Sequence, residues 1–330
     1  MLVQNSMPGQ ECCYNDYTLS PTKPNINGLF GFFYCDIKAD KDNYLGLLPV
    51  RDSSGVIIMP LGTWSGWYFS EELKFAQDNG YSIEVHRGYT FNRVNNVFDK
   101  YVLDLYKSKA EARDSVQRNI SKSLLNNLLG RFGMITIRPM TTLVDDNMLK
   151  SIETTRKIKD LYTLSDNSNL ITFDPIVNRD ICNEFSMDYI KALEQSQLEF
   201  KSVTSQEQFN NVNISISAAV TSYARIFMGK VKLELLKNKP DIFYMDTDSL
   251  VVNNQLKPAL VGPKIGQFKL EHVLSKAYFV SAKPYCLVLP NNKLIIKTKG
   301  AKSASLTEDH FIQLLNNIDI EAHVAKIMTC

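Results

Sequence analysis

Apolar and polar residues alternate in short runs over the first part of the chain, and this pattern predicts a mixed α/β unit. Strands are predicted at Phe30–Ile37, Tyr44–Val50 and Val56–Met59. Ser70–Asn79 is predicted as a short helix, with Ser70 as its N-cap and acidic residues in its first turn. The chain then returns as a strand at Tyr81–Val85.

Longer helical periodicities follow. Residues 97–129 carry one helical pattern, with a break near Lys107, and the glycine-containing segment Gly130–Gly133 ends it. A second helix is predicted at Ser215–Lys237 and ends before Pro240. The polar, Asn-rich stretch between them, residues 135–212, predicts short strands and turns.

The last third of the chain predicts two hairpins and a helix. One hairpin reverses at Asp246–Asp248, and the other pairs Tyr285–Leu289 with Leu294–Lys299. The final helix is predicted to begin near Thr307, with Glu308 in its first turn.

Composition narrows the kind of protein. The chain has 330 residues with 44% hydrophobic and 22% charged positions, which is typical of a globular protein of two or three domains. Its net charge is only +2, so any nucleic-acid binding must depend on a local basic groove. No uncharged apolar run reaches the roughly 18 residues that a membrane span needs, so no membrane partner is expected. The six cysteines lack zinc-site spacing.

Two carboxylates lie at the tip of the first predicted hairpin. Asp246 and Asp248 are two residues apart between apolar strand runs, and their mutual repulsion makes such a tip costly unless a cation neutralises it. A hard dication with oxygen ligands, such as Mg²⁺, meets that need and supports phosphoryl transfer. The alternative is an ordinary solvated turn, because Asp, Thr and Ser all favour turns.

A polar face is predicted on the helix before residue 130. Arg118, Lys122 and Asn126 recur every four residues and share one face. An apolar stripe lies opposite and is predicted to pack; it comprises Val116, Ile120, Leu124 and Leu128. The two cations and the amide suit a nucleoside triphosphate. The alternative is a solvated helix face beside a core stripe.

A basic strand closes the second hairpin. Lys297 and Lys299 are predicted on the same strand face, and Gly300 allows close approach of a backbone. This arrangement suits a duplex phosphate backbone. The alternative is an edge strand that uses lysines against aggregation.

Three motifs together resemble family B DNA polymerases. The hexamer Tyr244–Ser249, Y-x-D-T-D-S, resembles motif C. Lys122–Gly130 resembles motif B, K-x-x-x-N-S-x-Y-G, but Asn127 replaces the usual Ser and Leu129 the usual Tyr that shapes the nucleotide pocket in the family. Lys297–Gly300 resembles the K-x-K-G motif that follows motif C. The likeness covers nearly the whole chain and is greatest to the protein-primed, mitochondrial and linear-plasmid group.

The resemblance implies the α+β right-hand polymerase core, with a palm built on an antiparallel sheet, helical fingers and the start of a thumb. It also implies that motif A, D-x-x-S-L-Y-P, and an exonuclease domain lie before Met1. The implied segments are a remnant of the palm at 1–25, an insertion like the terminal-protein region at 26–95, fingers helices with motif B at 96–134, a second insertion with palm segments at 135–212, the palm with motif C at 213–302 and a truncated thumb at 303–330.

The chemistry that the resemblance implies is template-directed nucleotidyl transfer by a DNA-directed DNA polymerase. Asp246 and Asp248 are the expected catalytic carboxylates and Mg²⁺ ligands of a two-metal site, with one further carboxylate expected from motif A. Arg118, Lys122 and Asn126 are expected to bind the dNTP. Because motif A is expected outside this chain, little polymerase activity is expected of the chain alone.

The resemblance also implies the partners. Tyr244, Thr247, Ser249, Lys297 and Lys299 are expected to contact primer–template DNA, and a terminal protein is the further partner implied, as the protein primer. The N-terminus resembles neither a transit peptide nor a signal peptide, and the resemblance favours a mitochondrial protein made in the organelle or on a linear plasmid. Two alternatives stay open: a non-catalytic remnant that binds DNA or the terminal protein, and a decaying plasmid-derived reading frame.

Overall fold

The structure, a computed structural model, describes residues 1–40, 45–134, 139–199, 212–237, 242–299 and 302–321. It divides into two units. The first contains Met1, Cys13–Thr90 and Ser222–Cys330, and the second contains Leu2–Cys12 and Phe91–Thr221.

The strands are β1 (Met7–Asp16), β2 (Gly31–Ala39), β3 (Val50–Arg51), β4 (Ile57–Ile58), β5 (Gly62–Phe69), β6 (Ser82–Val94), β7 (Met140–Val144), β8 (Ile158–Ser165), β9 (Ser168–Phe173), β10 (Ile242–Asp246), β11 (Ser249–Val252), β12 (Lys276–Phe279), β13 (Tyr285–Val288) and β14 (Leu294–Lys297). The helices are α1 (Ser70–Asp78), α2 (Asp99–Ala110), α3 (Ser115–Phe132), α4 (Asp146–Glu153), α5 (Arg179–Glu184), α6 (Tyr189–Glu199), α7 (Ile214–Lys237) and α8 (Glu308–Leu315). The strand pairings within the described sheets are antiparallel and helices pack beside them, so the predicted α+β class is confirmed.

A four-stranded sheet in the order β1-β6-β2-β5 dominates the first part of the chain. β2 pairs antiparallel with both β5 and β6. Its residues alternate between buried and partly exposed positions, and Phe33, Cys35 and Ile37 have no exposed surface. The strand predicted at Phe30–Ile37 is thus confirmed.

Two local predictions in this region were wrong. Within Tyr44–Val50, the described residues before Val50 are irregular, and only the two-residue strand β3 forms. Ser70 is not the N-cap of α1, because Phe69 holds that position. The Ser70 hydroxyl instead accepts a hydrogen bond from the Gly31 backbone N–H at 3.1 Å, which joins the start of α1 to the start of β2.

A buried ion pair joins α1 to α7. Glu72 is 1% exposed, and its Oε2 accepts a hydrogen bond from Arg225 Nη2 at 2.8 Å. Arg225 also donates to the Ser222 hydroxyl at 2.9 Å. Nearby, the Phe69 and Tyr223 rings meet edge to face, with their centroids 5.4 Å apart. These contacts fix the helix that leads toward the Asp246 hairpin.

The helical pattern over 97–129 forms two helices, α2 and α3, which are separated at residues 111–114 rather than at Lys107. Asp114 caps α3 by accepting a hydrogen bond from the Gln117 N–H at 2.7 Å. The helix continues through Gly130 to Phe132, and Gly133 forms its C-cap.

Residues 139–199 form the three-stranded sheet β7-β9-β8 and the helices α4 to α6. The short strands predicted here are confirmed, but the three helices were not predicted. Phe173, Ile171 and Ile152 have no exposed surface and form a core between the sheet and α4. This core lies within the second unit.

The last part of the chain follows its predictions closely. The helix predicted at Ser215–Lys237 forms as α7. β12, β13 and β14 form an antiparallel sheet, and α8 begins after Thr307 as predicted. Phe311 of α8 is 1% exposed and packs against the buried Cys286 and Val288 of β13.

Candidate active site

The carboxylate hairpin consists of β10 and β11, and its turn is two residues long. Asp246 pairs with Ser249, so Thr247 and Asp248 form the turn. Thr247 has φ 55°, a conformation that few non-glycine residues adopt. The predicted reversal at Asp246–Asp248 is therefore confirmed. Asp248 is exposed, whereas Asp246, at the end of its strand, is half-buried.

The cation beside Asp246 is the ammonium of Lys283. Lys283 Nζ lies 2.6 Å from Oδ2 and 2.8 Å from Oδ1 of Asp246. The hydrogen bonds from Lys283 hold the pKa of Asp246 below its ordinary value. In turn, the hydrogen bonds to Asp246 raise the pKa of Lys283. A residue of the chain itself thus supplies a positive charge to Asp246.

Aromatic side chains fix Lys283 in place. Its backbone N–H donates to the Tyr244 hydroxyl at 3.1 Å, and its own φ is 87°. The Tyr244 ring stacks on Phe279 with centroids 4.9 Å apart and planes within 3°. Tyr285 packs edge-on against Tyr244 at 5.3 Å. Tyr244 therefore links the hairpin to β12 and β13.

Two hydroxyl groups donate hydrogen bonds to Asp246 within the turn. The Thr247 hydroxyl donates to Asp246 Oδ1 at 3.1 Å. The Ser249 hydroxyl donates to the backbone carbonyl of Asp246 at 3.0 Å. Both side chains thus hold Asp246 rather than extending away from the hairpin.

The predicted nucleotide-binding residues lie on α3, in the second unit. Arg118, Lys122 and Asn126 are all exposed, as their predicted polar face requires. The packing prediction for the opposite stripe was wrong: Val116 is 65% exposed and Ile120 is 55% exposed. Leu124 is exposed as well, and Leu128 is half-buried.

Helix α3 packs on α2 through a different face. Ser121 is its only buried residue, and the Ser121 and Ser108 hydroxyls are 3.1 Å apart. Phe132 contacts Phe98, which precedes α2, with ring centroids 5.3 Å apart. Small hydroxyl side chains thus make the helix contact, and periodicity could not show which face of α3 would meet a partner.

The basic strand is shorter than predicted. Lys297 ends β14 and is exposed, but Lys299 lies in a bend beyond the strand, so the two do not share a strand face. The ladder ends because Lys297 pairs with Tyr285, the first residue of β13. Gly300 lies outside the described residues. Tyr285 also contacts Tyr244, so the basic strand and the carboxylate hairpin share one aromatic cluster.

Three residues of the site were not predicted from the motifs: Lys283, Phe279 and Tyr285. Lys283 lies in a bend with φ 87°, before β13 begins at Tyr285, so strand alternation gave no signal for it. The sequence separation of 37 residues between Asp246 and Lys283 concealed their contact.

The donors of the site suit a divalent metal in part. The Asp246 and Asp248 carboxylates flank one turn and are hard oxygen ligands, which suit Mg²⁺. The Lys283 ammonium already occupies Asp246, so a metal ion there would have to displace it. Among the residues that the structure describes, no group of three or more His, Cys, Asp or Glu side chains forms a metal cluster. The pair therefore fits part of a metal site that needs a further ligand.

Similar proteins show the same fold. Phi29 DNA polymerase in its orthorhombic crystal form superposes with a TM-score of 0.59 at 15% identity, covering 94% of this chain and 51% of that one. A phi29 DNA polymerase structure complexed with primer–template DNA and incoming nucleotides gives a TM-score of 0.57 at 14% identity. The fold is therefore that of a right-hand polymerase core.

Sequence similarity identifies the family. A protein of Podospora anserina named "Probable DNA polymerase" is 44% identical over 97% of this chain, and one of Agaricus bitorquis with the same name is 28% identical over 88%. The chain spans 27% and 37% of their lengths. Residues 1–232 match the family described as DNA polymerase type B, organellar and viral. The chain belongs to this family, and the resemblance stated above is confirmed.

In the described part of the chain, no helix has the length and apolarity needed to cross a membrane.

Proposed function

We propose that this chain supplies the carboxylate hairpin, the nucleotide-binding helix and a primer–template contact to a DNA-directed DNA polymerase that performs protein-primed DNA replication. The observation that carries the proposal is the D-T-D turn, which places two carboxylates next to each other on a hairpin. Family membership supports the same reaction class. The segments inferred from the family resemblance, with palm, fingers and thumb, are part of this proposal.

The hairpin would hold Mg²⁺ through Asp246 and Asp248. When bound, the ion would supply charge neutralisation at the transferring phosphate. The chain's own contribution is positional: the Thr247 and Ser249 hydroxyls orient Asp246. Lys283 neutralises Asp246 until another cation takes that position.

The nucleotide and the DNA would bind through cations. Arg118 and Lys122 are exposed on α3 and would bind the triphosphate, with Asn126 near the sugar or base. Lys297 and Lys299 are exposed and would contact the primer–template backbone. Positioning and charge neutralisation are the main requirements of phosphoryl and nucleotidyl transfer.

A terminal protein would serve as the primer, with its hydroxyl taking the place of a primer 3′-hydroxyl. Residues 26–95 would form the insertion that contacts it. We further propose a mitochondrial location, which the organellar part of the family description supports. Detection of the chain in purified mitochondria, protected from added protease, would support the location, whereas its recovery outside them would contradict it.

Binding assays test the proposal on the purified chain. Mn²⁺, a spectroscopic substitute for Mg²⁺, is expected to bind the wild-type chain and to bind Asp246→Asn or Asp248→Asn at least about tenfold more weakly. Primer–template DNA is expected to bind with an affinity that falls as salt rises, and Lys297→Ala is expected to reduce the salt slope. Metal binding unchanged by both Asp variants would overturn the role of the hairpin.

Primer extension tests the reaction itself. Little synthesis is expected from the 330-residue chain, because a further carboxylate is expected from motif A. Template-dependent synthesis that requires Asp248 would contradict that expectation while establishing the chemistry. DNA binding that falls with salt, without metal dependence or turnover even when the motif A segment is supplied, would favour a non-catalytic remnant.

A further inference from the structure

Aromatic rings cross the outer face of the four-stranded sheet in a row, which we call the aromatic row. It consists of Tyr14, Tyr89, Trp67 and Tyr34. Each lies on a different strand of the sheet β1-β6-β2-β5, and all lie in the first unit. Tyr14, Trp67 and Tyr89 are 49%, 47% and 43% exposed, and Tyr34 is half-buried.

The rings are in mutual contact. Tyr14 and Tyr89 have centroids 5.2 Å apart, and Tyr89 and Trp67 stack at 6.0 Å with planes 29° apart. Tyr34 lies 5.8 Å from Trp67, and it pairs in register with both Trp67 and Arg87. Ring–ring contacts of this kind hold the aromatic row in a fixed arrangement.

The charged groups beside the aromatic row include one exposed cation, Arg87, and two acids. The Arg87 guanidinium lies 5.1 Å above the Tyr34 ring and is exposed. Two nearby acids have basic partners: Asp36 Oδ2 lies 2.9 Å from His86 Nε2, and Glu84 lies 3.7 Å from Lys23. Hydrogen bonds from Ser65 and His86 also lower the pKa of Asp36. Phosphate groups would therefore meet the exposed Arg87 guanidinium, while Asp36 and Glu84 are engaged by His86 and Lys23.

The side chains on the outer face of this sheet favour one kind of binding partner over another. Strand alternation places Asp36, Lys38, Thr63, Ser65 and Glu84 on the same outer face. No aliphatic side chain belongs to the outer positions in these two registers. The centre of a protein–protein interface is normally depleted of charged residues, whereas rings beside a cation and polar groups are how proteins bind unpaired bases.

We propose that the aromatic row is a binding site for single-stranded nucleic acid, which stacks bases on Trp67, Tyr89 and Tyr14 while Arg87 contacts a phosphate. Bases in a duplex already stack on their neighbours, so only an unpaired strand offers them to protein rings. The site goes beyond the nucleotidyl-transfer function proposed above, because it requires neither a metal nor Asp246.

Tryptophan fluorescence gives a direct readout. The chain has two tryptophans, and Trp64→Phe leaves Trp67 as the sole reporter. An oligothymidylate of about ten nucleotides, within the site sizes of single-strand binders, is expected to quench Trp67 saturably. An equal-length duplex is expected to quench it far less. Lys159→Ala removes an exposed cation that pairs with Asp174 and is expected to leave this quenching unchanged.

Variants test the role of stacking. With a labelled oligothymidylate, Trp67→Ala and Tyr89→Ala are each expected to weaken binding at least about fivefold, the lower limit for loss of one base–aromatic stack. Tyr89→Phe keeps the ring and is expected to bind like the wild type, so it also controls for folding. Tyr162→Ala removes a ring that is 61% exposed on β8 and is expected to have no effect.

Two outcomes would overturn the proposal. One is oligothymidylate affinity that does not change in Trp67→Ala, with Trp67 fluorescence that does not respond to the oligonucleotide. The other is a chain that self-associates through this face, seen as concentration-dependent sedimentation that Trp67→Ala abolishes, with no oligonucleotide binding. Neither outcome bears on metal binding by the Asp246 hairpin, so the two proposals fail separately.

Discussion

Lys283 Nζ lies 2.6 Å from Asp246 Oδ2, although the two residues are 37 positions apart in sequence. The pair brings an ammonium onto a carboxylate that the sequence assigns to a metal ion. Tyr244 holds the two sides together, because it belongs to the strand of Asp246 and its hydroxyl accepts the Lys283 N–H. The charge of Asp246 is therefore already balanced by a residue of the chain itself.

Lys283→Met is expected to raise the pKa of Asp246, because the hydrogen bonds from Lys283 are the main cause of its lowered value. Carboxyl carbon NMR during an acid titration measures this pKa. Lys276→Met is the matched control, since Lys276 pairs with Glu308 at 3.4 Å instead. An unchanged Asp246 titration in Lys283→Met would show that the pair does not form in solution.

The same pair predicts how stability depends on pH. A carboxyl with a lowered pKa in the folded state stabilises the fold above its unfolded pKa, about 3.9 for Asp. That contribution is lost as pH falls through the folded value. The wild type is therefore expected to be more stable than Lys283→Met near neutral pH, and the difference should vanish at strongly acid pH. Urea unfolding at several pH values measures it, and a pH-independent difference would contradict the assignment.

Lys283 also competes with any metal ion for Asp246. Removing the ammonium in Lys283→Met is expected to increase the affinity of the chain for Mn²⁺ several-fold, because the ion no longer displaces a bound cation. Calorimetric titration measures the affinity, and the double variant with Asp246→Asn should lose the gain. Weaker Mn²⁺ binding in Lys283→Met would instead mean that Lys283 helps to form the metal site.

The buried pair between Glu72 and Arg225 predicts an asymmetric stability effect. Arg225→Met is expected to cost about 3 to 5 kcal/mol, because it leaves a buried carboxylate without its counter-charge. Glu72→Gln is expected to cost less, since the Arg225 side chain is 34% exposed and can reach water. Denaturant unfolding measures both. The Glu71 carboxylate, paired with Lys74, is 23% exposed against 2% for Glu72, so Glu71→Gln should cost less than Arg225→Met. Equal costs for all three would contradict the role of burial.

Gly31 permits β2 to approach β6 closely. It has φ 150°, and an added Cβ would collide with the backbone carbonyl oxygen of Tyr89. Gly31→Ala is therefore expected to destabilise the fold by about 2 kcal/mol or more. Gly28→Ala meets no atom within 4 Å and should be nearly neutral. Melting temperatures compare the two, and a neutral Gly31→Ala would mean that the strands can separate without cost.

The sequence determined the local elements well where periodicity and end signals agreed. The strand at β2, the helix α7 and the start of α8 all follow from alternation or helical spacing, because these patterns reflect which side of an element is buried. The D-T-D turn was also predictable, since short apolar strands flank turn-forming residues. The polymerase family of the chain was predictable from the hexamer Tyr244–Ser249 together with the motif B residues around Lys122.

Only the tertiary structure decided the partners of these elements. Val116 and Ile120 form an apolar stripe, yet they are exposed because α3 meets α2 through Ser121. The spacing of apolar residues shows that one face of a helix is apolar. It does not show whether another element packs against that face. Lys283 reaches Asp246 because an aromatic cluster on β10, β12 and β13 joins them. Contacts between distant segments depend on how the sheets fold together, which no local spacing encodes.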